Sequence, residues 1–367
     1  MNRQLKKILS NIFLLLIMVG YTSSLQAQNV AAYKDRQGRF QYYNNGYIVQ
    51  LDHQEVPFFK LGGDFILYLN SRDELKYYRN GYEEIFHMRP VQDDYTITQF
   101  LIMNETGGVF SVINHKEVKT LNLDDSTKFI YGDSIVVFID YTGMLKSYYN
   151  GEITSIDPIE PQRFIASDNS MAYVDNRDWL RFHKNGETVD VTEDPPNGFK
   201  VGQDLLLFTT EFDEFNAWRA GETIELGEYP PQSYKIGDKL AAYVSDRGFF
   251  YLIDEEATEP TELMPAIPKF YDVIDNTLIY VDDRNYFNVY YKGKNYALET
   301  YRPSKFEYYD GIVAYVDVDG RLKAFYEGKT LEVSENIINS FFLQGRVILY
   351  EYGNKDYKIF HNGKRFN

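Results

Sequence analysis

The sequence predicts an all-β repeat fold, and three observations carry that prediction. A tight-turn signature recurs about every 35 residues. Two columns of aromatic or aliphatic residues keep the same period. No stretch after residue 28 shows the 3.6-residue periodicity of an amphipathic helix.

The turn signature is a glycine, most often after asparagine, at positions 46, 81, 151, 186, 221, 293, 328 and 363. Lys116 and Glu256 hold the two remaining places, and every step is 35 residues except one of 37 between Glu256 and Gly293. Asn-Gly between β-forming runs marks a two-residue type I′ hairpin, because both central residues need positive φ. Ten units follow.

Thirteen residues before each turn stand Tyr33, Tyr68, Met103, Phe138, Tyr173, Phe208, Tyr243, Tyr280, Tyr315 and Tyr350. Six residues before it stand Phe40, Leu75, Phe110, Leu145, Leu180, Phe215, Phe250, Phe287, Leu322 and Tyr357. Eight residues before it the chain uses Gly, Asp or Asn in nine units, from Gly38 to Gly320, which predicts a second tight hairpin. Each unit therefore reads as four short antiparallel strands.

Proline sets the unit boundary. All twelve prolines fall 4 to 12 residues after a turn position, from Pro57 and Pro90 to Pro303. Proline cannot donate to a strand ladder, so this segment is the crossover between sheets. The first strand of each sheet then ends in a Phe-x-x-Gly-Asp pattern, as in Tyr234–Asp238. The second strands are apolar on both faces, as in Ala241–Val244 and Val136–Ile139. Cover on both faces is what sheets stacked around an axis require, so the units predict a β-propeller, with an open β-solenoid of the same sheets as the alternative. The first unit opens at Asn29 directly with its second strand, so one blade is expected to lack its innermost strand. One ring of ten blades and two smaller rings both fit the count.

Residues 1–27 read as a signal peptide. Arg3, Lys6 and Lys7 precede an apolar run from Ile8 to Val19, and Ala27 suits the peptidase. The run is shorter than the roughly 20 residues of a spanning helix. Residues 28–367 form the repeat domain, expected to be exported, soluble, and periplasmic or extracellular. The absence of cysteine excludes disulfides, thiol catalysis and a lipid-modified N-terminal cysteine. The net charge is −16, and removing the leader takes it to −19, which argues against a nucleic-acid surface.

Two families are resembled in layout. Ala241–Asp254 resembles a blade of the TolB-type propellers, without their Ser-Pro-Asp-Gly signature. The scheme Phe-x-x-Gly-Asp-x-Leu-x-Ala-Tyr-x-Asp-x-x-Gly is similar to the bacterial WG repeat, without its Trp-Gly pair. Both resemblances imply a secreted β-repeat protein and assign no site residue.

The sequence offers little catalytic chemistry. His53, His87, His115, His183 and His361 have no metal-ligand spacing, and no nucleophile motif or phosphate loop occurs. Aspartate recurs in two columns. One, eleven residues before the turn (Asp35, Asn70, Glu105, Asp140, Asp175, Asp282, Asp317), fits turn capping. The other heads the second strand: Asp64, Asp133, Asp168, Asp204, Asp238, Asp275 and Asp310. If the first strand is innermost, these seven crowd one mouth of the axis, where a cation or basic partner would relieve their repulsion. Asp317 and Asp319 mimic part of a calcium loop but lack its third acid and closing Glu. No cofactor is expected, Ca²⁺ being the one candidate. The expected function is a non-catalytic binding or assembly module for a protein or glycan partner. The alternative is a carbohydrate-active propeller enzyme using axial carboxylates.

Overall fold

The computed structural model describes residues 29–88, 95–114, 117–122, 128–255, 257–353 and 356–366. The expected signal peptide, turn positions 116 and 256, Pro90, His115 and the side chain of His87 lie outside the described residues.

The repeat units fold as antiparallel sheets whose strands neighbour one another in chain order. The first sheet has three strands, Val30–Lys34, Phe40–Asn44 and Tyr47–Asp52. The other nine have four, as in Phe58–Leu61, Ile66–Leu69, Glu74–Arg79 and Tyr82–Met88. Among the described residues blade one lacks the innermost strand.

The turn chemistry holds in detail. Asn150 and Gly151 have φ of 49° and 87°, the type I′ pair, closing the hairpin between the third strand Leu145–Tyr149 and the outer strand Glu152–Asp157. Ala220, Lys292 and Glu327 take the same left-handed conformation at 51°, 47° and 46°. Pro196 opens the strand Pro196–Val201, the one place within a ladder where a missing N–H is tolerated.

One regular feature has no signature in the sequence. In eight blades the ladder between third and outer strands slips by a residue near its start, as between Leu145 and Lys146 or Phe250 and Tyr251, and in blade nine it slips by three between Arg321 and Lys323. Such a bulge raises the local twist, which tilts each blade as it runs outward.

Burial follows position in the blade. The second strands are buried along their length, as in Ile135–Ile139 and Ala241–Val244. The outer strands alternate or face solvent, as in Glu187–Thr192. Each pair of neighbouring blades shares one hydrophobic cluster. The decisive one joins the ends of the chain: Ala31 and Tyr43 of blade one pack on Val347, Leu349 and Ile359 of blade ten. The Tyr43 hydroxyl pairs with His361 Nδ1 at 2.9 Å, and His361 Nε2 pairs with Asn29 Oδ1 at 3.0 Å. The sheets therefore close into one ring of ten. That excludes the open solenoid and the pair of smaller rings. No strand is exchanged at this seam. Fully burying each of the three aliphatic side chains is worth roughly 1.5–3 kcal/mol, against about 1 kcal/mol for a hydrogen bond, so packing dominates the closure.

Candidate functional site

The hairpins joining inner to second strands meet around the axis, and their backbones hold one another. The Gly63 N–H donates to the Gln99 carbonyl at 2.7 Å, Ser134 to Asp168 at 2.9 Å, Asp204 to Asp238 at 3.0 Å and Asp238 to Asp275 at 2.8 Å. The Thr98 and Ser170 hydroxyls add bonds to the carbonyls of Asp133 and Gly202, at 2.6 and 2.7 Å. Most of the donors are backbone amides whose carbonyl partner lies one blade further on, giving a belt around the axis. The belt explains the glycine of the Gly-Asp pattern. A Cβ on Gly202 would overlap the Gly237 carbonyl, and one on Gly237 the Asp275 carbonyl.

This arrangement sorts the seven predicted aspartates. Asp133, Asp168, Asp238, Asp275 and Asp310 line a single axial cavity of about 50 Å³, with Gln99, Asn276 and Tyr309. Asp64 and Asp204 do not. They stand 17 residues before their turn glycines, Gly81 and Gly221, whereas the other five stand 18 before theirs. One residue of slip turns a side chain to the other face of the hairpin. Asp64 pairs with Arg79 at 2.8 Å. Asp204 pairs with Lys184, lies 3.9 Å from Lys239, and lines a separate cavity of about 290 Å³ with Trp218, Arg219 and Glu255.

The five gathered carboxylates are poorly satisfied. Burial, followed by the neighbouring carboxylates, pushes Asp238 up to about 8, Asp275 to about 7 and Asp168 to about 6. Burial raises Asp133 and Asp310 as well, the latter opposed by Arg346 and Lys292. Asp168 Oδ2 and Asn169 Oδ1 are buried acceptors without a donor.

The other aspartate column behaves differently. Asp140 Oδ1 accepts from the N–H groups of Thr142 and Met144 at 2.8 and 3.1 Å, and Asp35 and Asp175 repeat the pattern. Asp317 belongs here too. Its Oδ1 accepts from Asp319 and Arg321, both at 2.9 Å, its Oδ2 lies 3.2 Å from Lys323, and Asp319 is exposed in the turn. Among the described residues no group of three or more His, Asp or Glu side chains is arranged to hold a metal ion.

The histidines divide as well. His183 bonds Thr188 at 2.8 Å and His361 holds the seam. Burial pushes both down to about 4, helped at His361 by Arg346. His53 is exposed beside Gln50.

Ten blades, closed without strand exchange around an acidic axial mouth, define a β-propeller of unusual ring size. The chain belongs to the family described as the 10-bladed beta propeller domain, whose model matches residues 24–366. That match spans the whole repeat region, where the TolB and WG resemblances rested on the layout of single units. No curated protein matches the sequence. Solved structures match at low similarity. BamB from Moraxella catarrhalis is 11% identical over 71% of this chain and 94% of its own, with a TM-score of 0.32. Hsv2p from Kluyveromyces lactis is 13% identical over 63% and 91%, with a TM-score of 0.33. Prp20p from Saccharomyces cerevisiae is 9% identical over 65% and 86%, with a TM-score of 0.32. Among the described residues no helix is long and apolar enough to cross a membrane.

Proposed function

We propose that this chain is an exported, non-catalytic binding module whose axial mouth receives a cationic group of a partner, such as a lysine or arginine side chain of a protein. One observation carries the reading: five carboxylates from five separate blades converge on one cavity of about 50 Å³. Water occupies about 30 Å³, so this space suits an ammonium or a guanidinium edge. The raised carboxylates are the feature a glycosidase would also use. That favours the enzyme reading in one respect, but ligand pockets run to about 300 Å³ and more, and this cavity is too small for a sugar ring. A glycan partner would have to sit on the surrounding end face.

A cation seated here must displace the protons that the carboxylates hold, so its affinity rises with pH. Calorimetric titration of the protein with n-butylammonium and methylguanidinium, at about pH 6 and about pH 8, tests this. Binding is expected to be tighter at the higher pH and lost in Asp238→Asn/Asp275→Asn. Neither heat nor thermal stabilisation from these cations or from CaCl₂ would remove the proposal. Release of reducing sugar from a polysaccharide, dependent on Asp238, would establish the enzyme instead.

A further inference from the structure

Among the described residues no strand fills the innermost position of blade one. In eight other blades the inner strand sets an aromatic residue opposite an aromatic of the second strand, as in Phe59 opposite Tyr68, Tyr234 opposite Tyr243 and Phe341 opposite Tyr350. Tyr33 is the blade-one member of this second-strand column. It is half-buried, while every other member of the column is buried.

Among the described residues no inner strand pairs with the backbone beside Tyr33. Asp35 and Asn29 bond toward the Phe40–Asn44 strand. Ala32, of opposite parity, faces the empty side. Its N–H donates to Gln344 Oε1 at 2.9 Å, and Gln344 Nε2 donates to its carbonyl at 3.3 Å. A side-chain amide from blade ten thus stands where a strand backbone would be. In blade seven the counterpart, Ala242, faces Lys235 of a true inner strand. Val30 and Lys34 share the parity of Ala32, and neither has a hydrogen bond on this edge among the described residues.

We infer that this edge takes an extended segment of an exported protein partner, added antiparallel to Val30–Lys34, with an aromatic side chain opposite Tyr33 and its backbone replacing the Gln344 amide at Ala32. This rests on the reading of the chain as exported and cleaved after Ala27. Cleavage there leaves one residue before Asn29, too little for a hairpin and a strand. By the 35-residue period the sequence counterpart of Phe59 and Tyr234 in this unit is Ser24, not an aromatic. The family match begins at residue 24, so residues 24–27 are the competing occupant.

The test uses the protein purified as exported, its N-terminus read by mass spectrometry. The probe is a fluorescent peptide copying residues 231–238, Pro-Gln-Ser-Tyr-Lys-Ile-Gly-Asp. Saturable binding is expected. It should weaken about tenfold when the lysine amide, which faces Ala32, is N-methylated, because a ladder bond is lost. Replacing the peptide tyrosine with serine should weaken it, and the protein variant Gln344→Ala should strengthen it by removing the competing amide. Equal binding of the N-methylated peptide overturns the inference. A mature chain that starts at Gln28 and binds no peptide overturns the slot while leaving export intact. An exported chain that begins at or before Ser23 overturns both the partner strand and the cleavage reading.

Discussion

Gly132 lies so close to the next blade that a Cβ added to it would stand 2.6 Å from the Asp168 carbonyl oxygen, the same oxygen that accepts the Ser134 N–H at 2.9 Å. The hydrogen-bonded belt and the acidic mouth therefore depend on a glycine immediately before an aspartate. Gly132→Ala is expected to destabilise the fold by about 2 kcal/mol or more, since the obstructing atoms are backbone and cannot swing aside. Urea unfolding checks this, with Gly151→Ala as the comparison. At Gly151 nothing lies within 4 Å of the added Cβ, and the cost is left-handed strain alone.

Stability should fall as pH rises from about 4 to about 8. Asp168, Asp238 and Asp275 have folded values raised to about 6, 8 and 7. Their contribution is full below the ordinary carboxylate range and is lost as pH rises through those values. His183 and His361 have folded values lowered to about 4. Their contribution is full above about pH 6.5 and is lost as pH falls toward 4. From about pH 4 to 6.5 three carboxylates lose stability while two histidines regain it, so urea midpoints measured from about pH 4 to 9 should fall overall as pH rises, levelling only above about pH 8. Asp238→Asn should make this fall shallower.

The seam has its own titrating group. His361→Phe leaves the Tyr43 hydroxyl and the Asn29 amide without their partner at a buried site. A loss of roughly 1–3 kcal/mol is expected, together with a steeper fall of stability between about pH 4 and 6.5, where this histidine opposes the carboxylates. An unchanged slope over that range would assign the opposing contribution to His183 or to another group.

Ala220 occupies the first central position of a type I′ turn with φ of 51°. A side chain without a local hydrogen-bonding group is strained there, and asparagine is not. Ala220→Asn should raise stability by about 0.5–1 kcal/mol, read as a higher thermal midpoint.

The double variant Asp238→Asn/Asp275→Asn separates the site from the scaffold. It should raise stability at alkaline pH, because two crowded carboxylates are gone, while abolishing amine binding. A variant that loses binding and stability together would show that these carboxylates serve the fold.

The repeat was legible because turn chemistry is local. Asn150-Gly151 demands positive φ whatever surrounds it, and Tyr243 or Phe250 recurs at a fixed distance from the turn because each unit solves the same packing problem. The aspartate pair of roles was only half legible. Asp140 and Asp317 cap their own hairpins, which spacing alone suggests. Asp133 and Asp238 come together from blades 105 residues apart in sequence, and Asp64 and Asp204 are turned away by one residue of slip that a shared motif conceals.

By itself the sequence determined the strand quartets and their turns, since each depends on residues within one 35-residue unit. Only the tertiary structure decided that the quartets close as one ring, that blade ten meets blade one through His361 and Gln344, and that five of seven aspartates share a cavity. Closure depends on small twist and tilt increments summed over ten blades, and no single unit encodes that sum.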